Sequence, residues 1–287
     1  MFRKAVLLPA AATALLAACD SPTNSGDARV SVRLTDAPHE YLASAVVTIG
    51  RVELLSADGP PTVISENGGT YDLLELQDGA TAALGTATIE PGEYRELRMI
   101  VSSATVTLAE SYTFTDGNPT KTLHVPSGAE TGIKIDLAAA EGEDGAGVDI
   151  GPGETILVVD FDVAQNFVMQ GNAETPAGIQ GFLFTPRLRA VVEEFAGSIA
   201  GSVTGPAGVA TAGLTVTATR ENAAAGEAPV TALVKADGTF KLYFLAPGTY
   251  TVTISNPPTG HTASTVQQAV GDGQNVTGVQ ITISTSP

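Results

Sequence analysis

The chain is 287 residues long, about two domains' worth at ~100–200 residues each, and 43% of it is hydrophobic, enough for packed cores. It holds 31 Gly and 17 Pro but 9 Phe, 6 Tyr and no Trp, while Val, Thr and Ile recur in short runs; this favours strands joined by tight turns and excludes a helical bundle. Fourteen basic residues against 31 acidic ones leave a net charge of −17, which repels a phosphate backbone and excludes a nucleic-acid partner.

Residues 1–18 carry Arg3 and Lys4, then the apolar run Ala5 to Ala18, which ends in Leu16-Ala17-Ala18 just before Cys19. A run this short does not cross a bilayer core of ~30 Å, which takes ~20 helical residues, so it reads as a secretory leader cut before Cys19. Small residues before the cut and the chain's single cysteine after it resemble bacterial lipoproteins. The resemblance implies a lipidated Cys19, the lipid bilayer as a partner, and an extracytoplasmic body anchored to the bacterial cell membrane or outer membrane. Lipidation uses the thiol, so no disulfide, thiolate nucleophile or cysteine metal site is expected and stability rests on core packing. Residues 19–27, rich in Ser, Pro, Asn and Gly, read as a flexible tether, and Asp20 resembles the inner-membrane retention signal of enteric lipoproteins.

From Ala28 the pattern is alternation, with Val30, Val32 and Leu34 on one strand face and Arg29, Ser31 and Arg33 on the other. Further period-two runs cover Ala45 to Leu55, Glu93 to Leu108, Lys121 to Val125, Gly132 to Leu137, Thr155 to Val163 and Phe182 to Val192, enough strands for a sandwich or barrel. Tyr71 to Leu84 fits a strand or a helical turn equally. A seam near Glu194 to Ala196 precedes a second unit of shorter strands: Thr231 to Lys235, Thr239 to Phe244 and Thr249 to Ser255, with Asp237-Gly238 as a hairpin turn tolerant of positive φ at both positions. Pro91-Gly92-Glu93-Tyr94 is echoed by Pro247-Gly248-Thr249-Tyr250, read as a shared turn-then-strand device. The expected fold is all-β, two β-sandwich domains in tandem: leader 1–18, tether 19–27, first domain 28–194 and second domain 195–287.

The second unit resembles the carboxypeptidase regulatory-like family through Gly201-Ser202-Val203, Leu214 to Ala218, Ala236-Asp237-Gly238-Thr239-Phe240 and Leu245 to Val252. That resemblance implies a transthyretin-type, carbohydrate-binding-like sandwich serving as a non-catalytic accessory module. In the first unit, the blocks Leu34-Thr35-Asp36-Ala37-Pro38, Asp72 to Leu76, Val125-Pro126-Ser127 with Thr131 to Lys134, and Val159-Asp160-Phe161-Asp162 resemble the lipoprotein family known as domain of unknown function 4382. Gln165-Asn166-Phe167 departs from the pattern, which puts any role for that turn in doubt. The family has no assigned chemistry to carry over.

His39, His124 and His261 are scattered, and no nucleophile elbow, phosphate loop or zinc motif is present, so no catalytic residue and no cofactor is expected. His39 and His261 read as exposed turn residues, and His124 as a half-buried strand edge. Asp36 ends a strand before Pro38 and reads as the acceptor of a local Asx-type turn, with calcium ligation as the functional alternative. Asp160 and Asp162 leave a strand on the same face, and such a pair needs a neutralising partner. The expectation is a salt bridge from Arg187, Arg189 or Lys134, with a cation as the alternative. Asp144, in the acidic loop Glu141 to Asp149, is a further calcium candidate. Tyr41, Tyr71, Tyr112 and Tyr243 are the candidates for glycan stacking. The reading is a non-catalytic binding, adhesion or structural lipoprotein with a protein or glycan partner; the alternatives are a carbohydrate-binding module and an undetected hydrolase.

Overall fold

The computed structural model describes residues 26–125, 131–137, 147–173, 175, 178–223 and 227–286. The leader, Cys19, most of the tether, Pro126-Ser127 and Asp144 lie outside the described residues. The first sandwich contains β1 (Ala28–Thr35), β2 (Leu42–Ser56), β3 (Thr62–Ser65), β4 (Gly69–Asp72), β5 (Ala82–Ile89), β6 (Gly92–Leu108), β7 (Thr120–Leu123), β8 (Ile133–Asp136), β9 (Val148–Ile150), β10 (Gly153–Asp160), the one-turn helix α1 (Val163–Asn166), β11 (Phe167–Asn172), β12 (Gly178–Phe184) and β13 (Arg189–Val192). One sheet runs β13-β10-β1-β5, with β1 and β10 parallel. The other has β2 and β6 as its spine. There β3 and β4 pair with different stretches of β2, and β7, β8 and β9 pair in turn along β6. Val30, Val32 and Leu34 share one core with Val47, Ile49, Leu97 and Met99 of the spine.

Alternation explains the burial, and its slips explain the bulges. Along β6 the buried residues are Tyr94, Leu97, Met99, Val101, Ala104, Val106 and Leu108. The period of two breaks after Tyr94 and after Val101, and there the register with β2 skips Arg95 and Ser102. A bulged residue lets a strand whose apolar phase slips by one keep the same face inward.

The second sandwich contains β14 (Gly197–Thr204), β15 (Thr215–Arg220), β16 (Val230–Leu233), β17 (Thr239–Leu245), β18 (Gly248–Ile254), β19 (His261–Ala263), β20 (Val266–Val270) and β21 (Asn275–Thr285). Its sheets run β17-β14-β21-β19 and β16-β15-β18-β20. Ile199, Val216, Leu242, Val252 and Ile281 form its separate core. The chain is therefore all-β, two sandwiches in tandem.

Several expected boundaries shift for local reasons. Phe182 to Val192 is two strands, because the chain breaks at 185–188, where Pro186 cannot donate to a ladder. The run from Thr155 stops at Asp160, and Val163 instead starts α1. Tyr71 to Leu84 divides into the end of β4, a 3-10 turn at Leu73–Glu75 with the Asp72 carboxylate accepting the Leu74 amide, and β5. At Asp237-Gly238 it is Gly238 that takes positive φ (82°), in a turn closed by the Gly238 amide on the Lys235 carbonyl at 2.9 Å.

The echoed Pro-Gly-x-Tyr pieces share a bond. The Tyr94 hydroxyl donates to the Glu90 carbonyl at 2.9 Å and the Tyr250 hydroxyl to the Ala246 carbonyl at 2.7 Å, each pinning the turn before its strand. The second bond is the more deeply buried, and a buried carbonyl stripped of its donor costs about 1–3 kcal/mol. Tyr250→Phe is therefore expected to destabilise the chain by about 1–2 kcal/mol in urea denaturation, and more than Tyr94→Phe does. The reverse order would show that the Tyr250 bond is not the one that holds its turn.

Candidate functional site at the seam of the two sandwiches

β10 and β13 are buried on both faces. Leu157, Val159, Ala190 and Val192 face the first core, while Val158 and Val191 face outward against Ala246 of the second sandwich, with Phe244 packed alongside. The unbroken apolar runs Ile156 to Val159 and Ala190 to Val192 are the sequence signature of such doubly covered strands.

Parallel pairing of β1 with β10 places Thr35 opposite Asp160, so the next residues of both strands emerge together. The Phe161 amide continues the ladder onto the Thr35 carbonyl at 3.0 Å. Asp162 then turns into the left-handed region (φ 41°), which Asp tolerates better than most residues, and starts α1. Asp36 and Asp162 both cap that turn. Asp36 Oδ1 accepts the Val163 amide at 2.7 Å and Asp162 Oδ1 accepts the Gln165 amide at 3.2 Å. Asp36 therefore acts over a separation of 127 residues, not in the local turn expected of it. Asp160 Oδ1 accepts the Asp162 amide at 3.2 Å.

Of the three cations expected near the acid pair, Arg189 is the one the fold delivers. Its Nη2 donates to Asp160 Oδ2 at 2.6 Å and its Nη1 crosses the seam to the Phe244 carbonyl at 2.6 Å. Lys134 pairs with Glu96 at 3.3 Å instead. A second bond crosses the seam from the Thr231 hydroxyl to Asp162 Oδ2 at 2.9 Å. Phe244 sits at φ 52°, a conformation that a bulky residue adopts when its surroundings impose it.

Asn166 holds the other side of α1. Its side-chain amide donates to the Phe161, Asp162 and Arg187 carbonyls, and its Oδ1 accepts the Arg187 amide. Buried completely, it supplies the partners that the broken segment 185–188 lacks. Gln165-Asn166-Phe167 thus has a structural role, which its departure from the family pattern had left in doubt. Thr231 and Phe244 carried no sequence signal, since one is a strand threonine and the other contributes a carbonyl.

Burial, then the charges of Asp162 and Asp160, push the Asp36 carboxyl well above the usual carboxylate range, against the lowering effect of the Val163 and Ala37 amides. Burial and the Asp160 charge push Asp162 up to about 7, opposed by the Thr231 hydroxyl, the Gln165 amide and Arg189. Asp36 and Asp160 line a cleft of about 210 Å³ together with Gln77, Asp78, Thr231, Lys235 and Tyr243 among others. Among the described residues no group of three or more His, Cys, Asp or Glu side chains is placed to hold a metal ion. The positions named as calcium candidates at Asp36, Asp160 and Asp162 instead receive protein donors.

The four tyrosines are half-buried. Tyr41 packs edge-on against Tyr112 at 5.4 Å, and the Tyr71 hydroxyl reaches the Gly68 and Ala83 carbonyls. Tyr243 carries the Lys241 ammonium 4.5 Å over its ring and is pressed by Gly79, where a Cβ would come within 2.8 Å of the ring. His39 is not an exposed turn residue. It packs 5.7 Å from Phe182, its Nδ1 accepts the Tyr41 amide, and burial lowers its pKa to about 4. His124 is exposed rather than at a half-buried edge, and His261 is half-buried with its Nδ1 3.1 Å from the Thr259 carbonyl.

Removing Arg189 leaves Asp160 buried and uncompensated, so Arg189→Ala is expected to cost about 3–5 kcal/mol by urea denaturation. A cost below about 1 kcal/mol, the range of an exposed pair, would show that the bridge is solvated. Asp162 binds its proton more tightly folded than unfolded. Its contribution is therefore complete below the unfolded value of 3.8 and is lost as pH rises through about 7. Asp162→Asn, which keeps the shape and suits the left-handed turn, is expected to flatten the fall of the urea midpoint across that window. An unchanged pH profile would refute the assignment.

A model of the family described as Domain of unknown function (DUF4382) matches residues 27–179. No curated protein matches the chain. Among solved structures, the chain is similar to the GBS52 minor pilin of Streptococcus agalactiae at 10% identity and a TM-score of 0.27, covering 90% of this chain and 96% of that one. It is similar to BcpA, the major pilin subunit of Bacillus cereus, at 11% identity and 0.26, with 90% and 100% covered. For the Bacillus anthracis TIE protein the figures are 12% and 0.24 over 90% of this chain, which spans about a third (34%) of that protein's length. Likeness at these scores supports no statement about role.

Proposed function

Because the chain belongs to the DUF4382 family, whose domain has no assigned function, we propose its role from the seam itself: a non-catalytic structural or adhesion module of the bacterial envelope, carried on a lipid at Cys19. The observation that supports this is where the acids go. Asp160 binds Arg189 and through it the Phe244 carbonyl, and Asp162 binds Thr231, so the residues that sequence offers for acid–base or metal chemistry join one sandwich to the other. Joined this way, two small sandwiches act as one longer body, which suits holding a surface away from a membrane. The strong negative charge supports the same reading, since it pushes the body from anionic headgroups. Among the described residues no helix is long and apolar enough to cross a membrane, and the lipid supplies the anchor in this reading. The internal contacts of Tyr41, Tyr71, Tyr112 and Tyr243 favour a protein partner or a spacer role over sugar stacking.

Expression in a bacterial host is expected to send the wild-type chain to the membrane fraction and Cys19→Ser to the soluble fraction. Retention of Cys19→Ser on membranes would overturn lipid anchoring. Protease shaving of intact cells, followed by mass spectrometry of the shed peptides, then separates the two forms of the proposal. Release from intact cells supports adhesion, and release only after outer-membrane permeabilisation supports envelope scaffolding.

A further inference from the structure

Three carboxyls meet at the seam and present six oxygens. Asp160 has a donor on each of its two, Arg189 Nη2 at 2.6 Å and the Asp162 amide at 3.2 Å. Asp162 likewise has the Gln165 amide at 3.2 Å and the Thr231 hydroxyl at 2.9 Å. Asp36 has the Val163 amide on Oδ1 at 2.7 Å, but its Oδ2 is buried with no hydrogen-bond partner among the described residues. An ionised carboxylate is acceptor-only, so a bare and desolvated oxygen is the environment it tolerates least. The neutral acid converts that oxygen into a donor, and the carboxylates of Asp160 and Asp162 lie near enough to act on it electrostatically.

The surrounding charges point the same way. The Arg189 guanidinium is bound to Asp160 and to the Phe244 carbonyl. Lys235 is held by Asp78 at 3.0 Å at the exposed mouth of the cleft, and Lys241 sits on the Tyr243 ring. Tyr250, raised to about 12 by burial, stays neutral and donates to the Ala246 carbonyl. A negative charge at Asp36 would therefore stand in the interior without a cation of its own.

We propose that Asp36 is a pH-sensitive latch of the seam: as the neutral acid it lets the second sandwich close over β10 and β13, and its ionisation parts the two sandwiches. Parting is the easier way to bring water to the new charge. Each sandwich keeps a core of its own, whereas the apolar part of the seam is built on Val158, Val191 and Ala246. Asp36 already lines the cleft that runs along that boundary. The latch goes beyond the anchoring and adhesion reading and does not depend on it, because it concerns how the two sandwiches are joined wherever the chain resides.

The test places spin labels on the full chain through Ser102→Cys on β6 and Ser284→Cys on β21, both exposed, with Cys19→Ser so that the labels alone react. Pulsed-EPR distances are measured at about pH 6 and about pH 9 in the Asp162→Asn background, so that the ionisation of Asp162 at about 7 does not contribute. The expected result is one narrow distribution at the lower pH and a broad one at the higher, with far-UV circular dichroism unchanged, while Asp36→Asn stays narrow at both. A distribution that does not change with pH, broadening in Asp36→Asn as well, or broadening accompanied by loss of β signal would each overturn the latch. Should Asp36→Asn fail to fold, the ¹³C shift of the Asp36 carboxyl in the otherwise native chain decides. Titration above the surface aspartates, with the label distances broadening over the same pH range, sustains the proposal, and titration alongside them or without broadening overturns it.

Discussion

Parallel pairing of β1 with β10 is the constraint from which the rest of the seam follows. Parallel strands point their C-terminal ends the same way, so Asp36, which leaves one strand, and Asp160 and Asp162, which leave the other, arrive at a common point although Asp36 and Val163 are 127 residues apart. Three acids concentrated in this way would repel each other in the interior unless donors met them. The local chain supplies those donors: the amides of a single helical turn, and Arg189 from the antiparallel neighbour β13, whose register sets it opposite Asp160.

The second sandwich completes what the first begins. β10 and β13 carry apolar side chains on both faces, and a first sandwich standing alone would expose Val158 and Val191 to water. Covering them brings the Phe244 carbonyl to Arg189 and the Thr231 hydroxyl to Asp162, so apolar burial and polar satisfaction occur at the same interface. Interfaces between sandwiches in one chain are often polar and mobile. Here Asp36, Asp160, Asp162, Arg189 and Thr231 are buried and, with the exception of Asp36 Oδ2, the oxygens of those three carboxyls are paired.

The charge of the chain takes on two meanings in this structure. Most acids are solvated and keep the body acidic, whereas the three at the seam are buried and structural. Sequence spacing cannot separate these classes, because Asp36 and an exposed turn aspartate such as Asp237 look alike along the chain. Asp237 accepts the Thr239 amide two residues on, as an Asx turn should, while Asp36 reaches into another part of the fold.

Properties that depend on near neighbours in the chain were legible in the sequence. Alternation marked β1, β6 and β8 because a strand's faces are set by residues two apart, and the Pro-Gly-x-Tyr echo marked two turns that are pinned by the same bond. The need for a cation beside Asp160 was likewise readable, because two acids at strand spacing repel whatever surrounds them. Tertiary structure decided which cation it was, since Arg187, Arg189 and Lys134 are equivalent until strand register places one of them opposite. It also decided that Asn166 is a buried clamp, that Thr231 and Phe244 belong to the site, and that Asp36 has one oxygen without a donor. Each of those facts depends on residues tens of positions apart in the chain, and packing alone sets such distances.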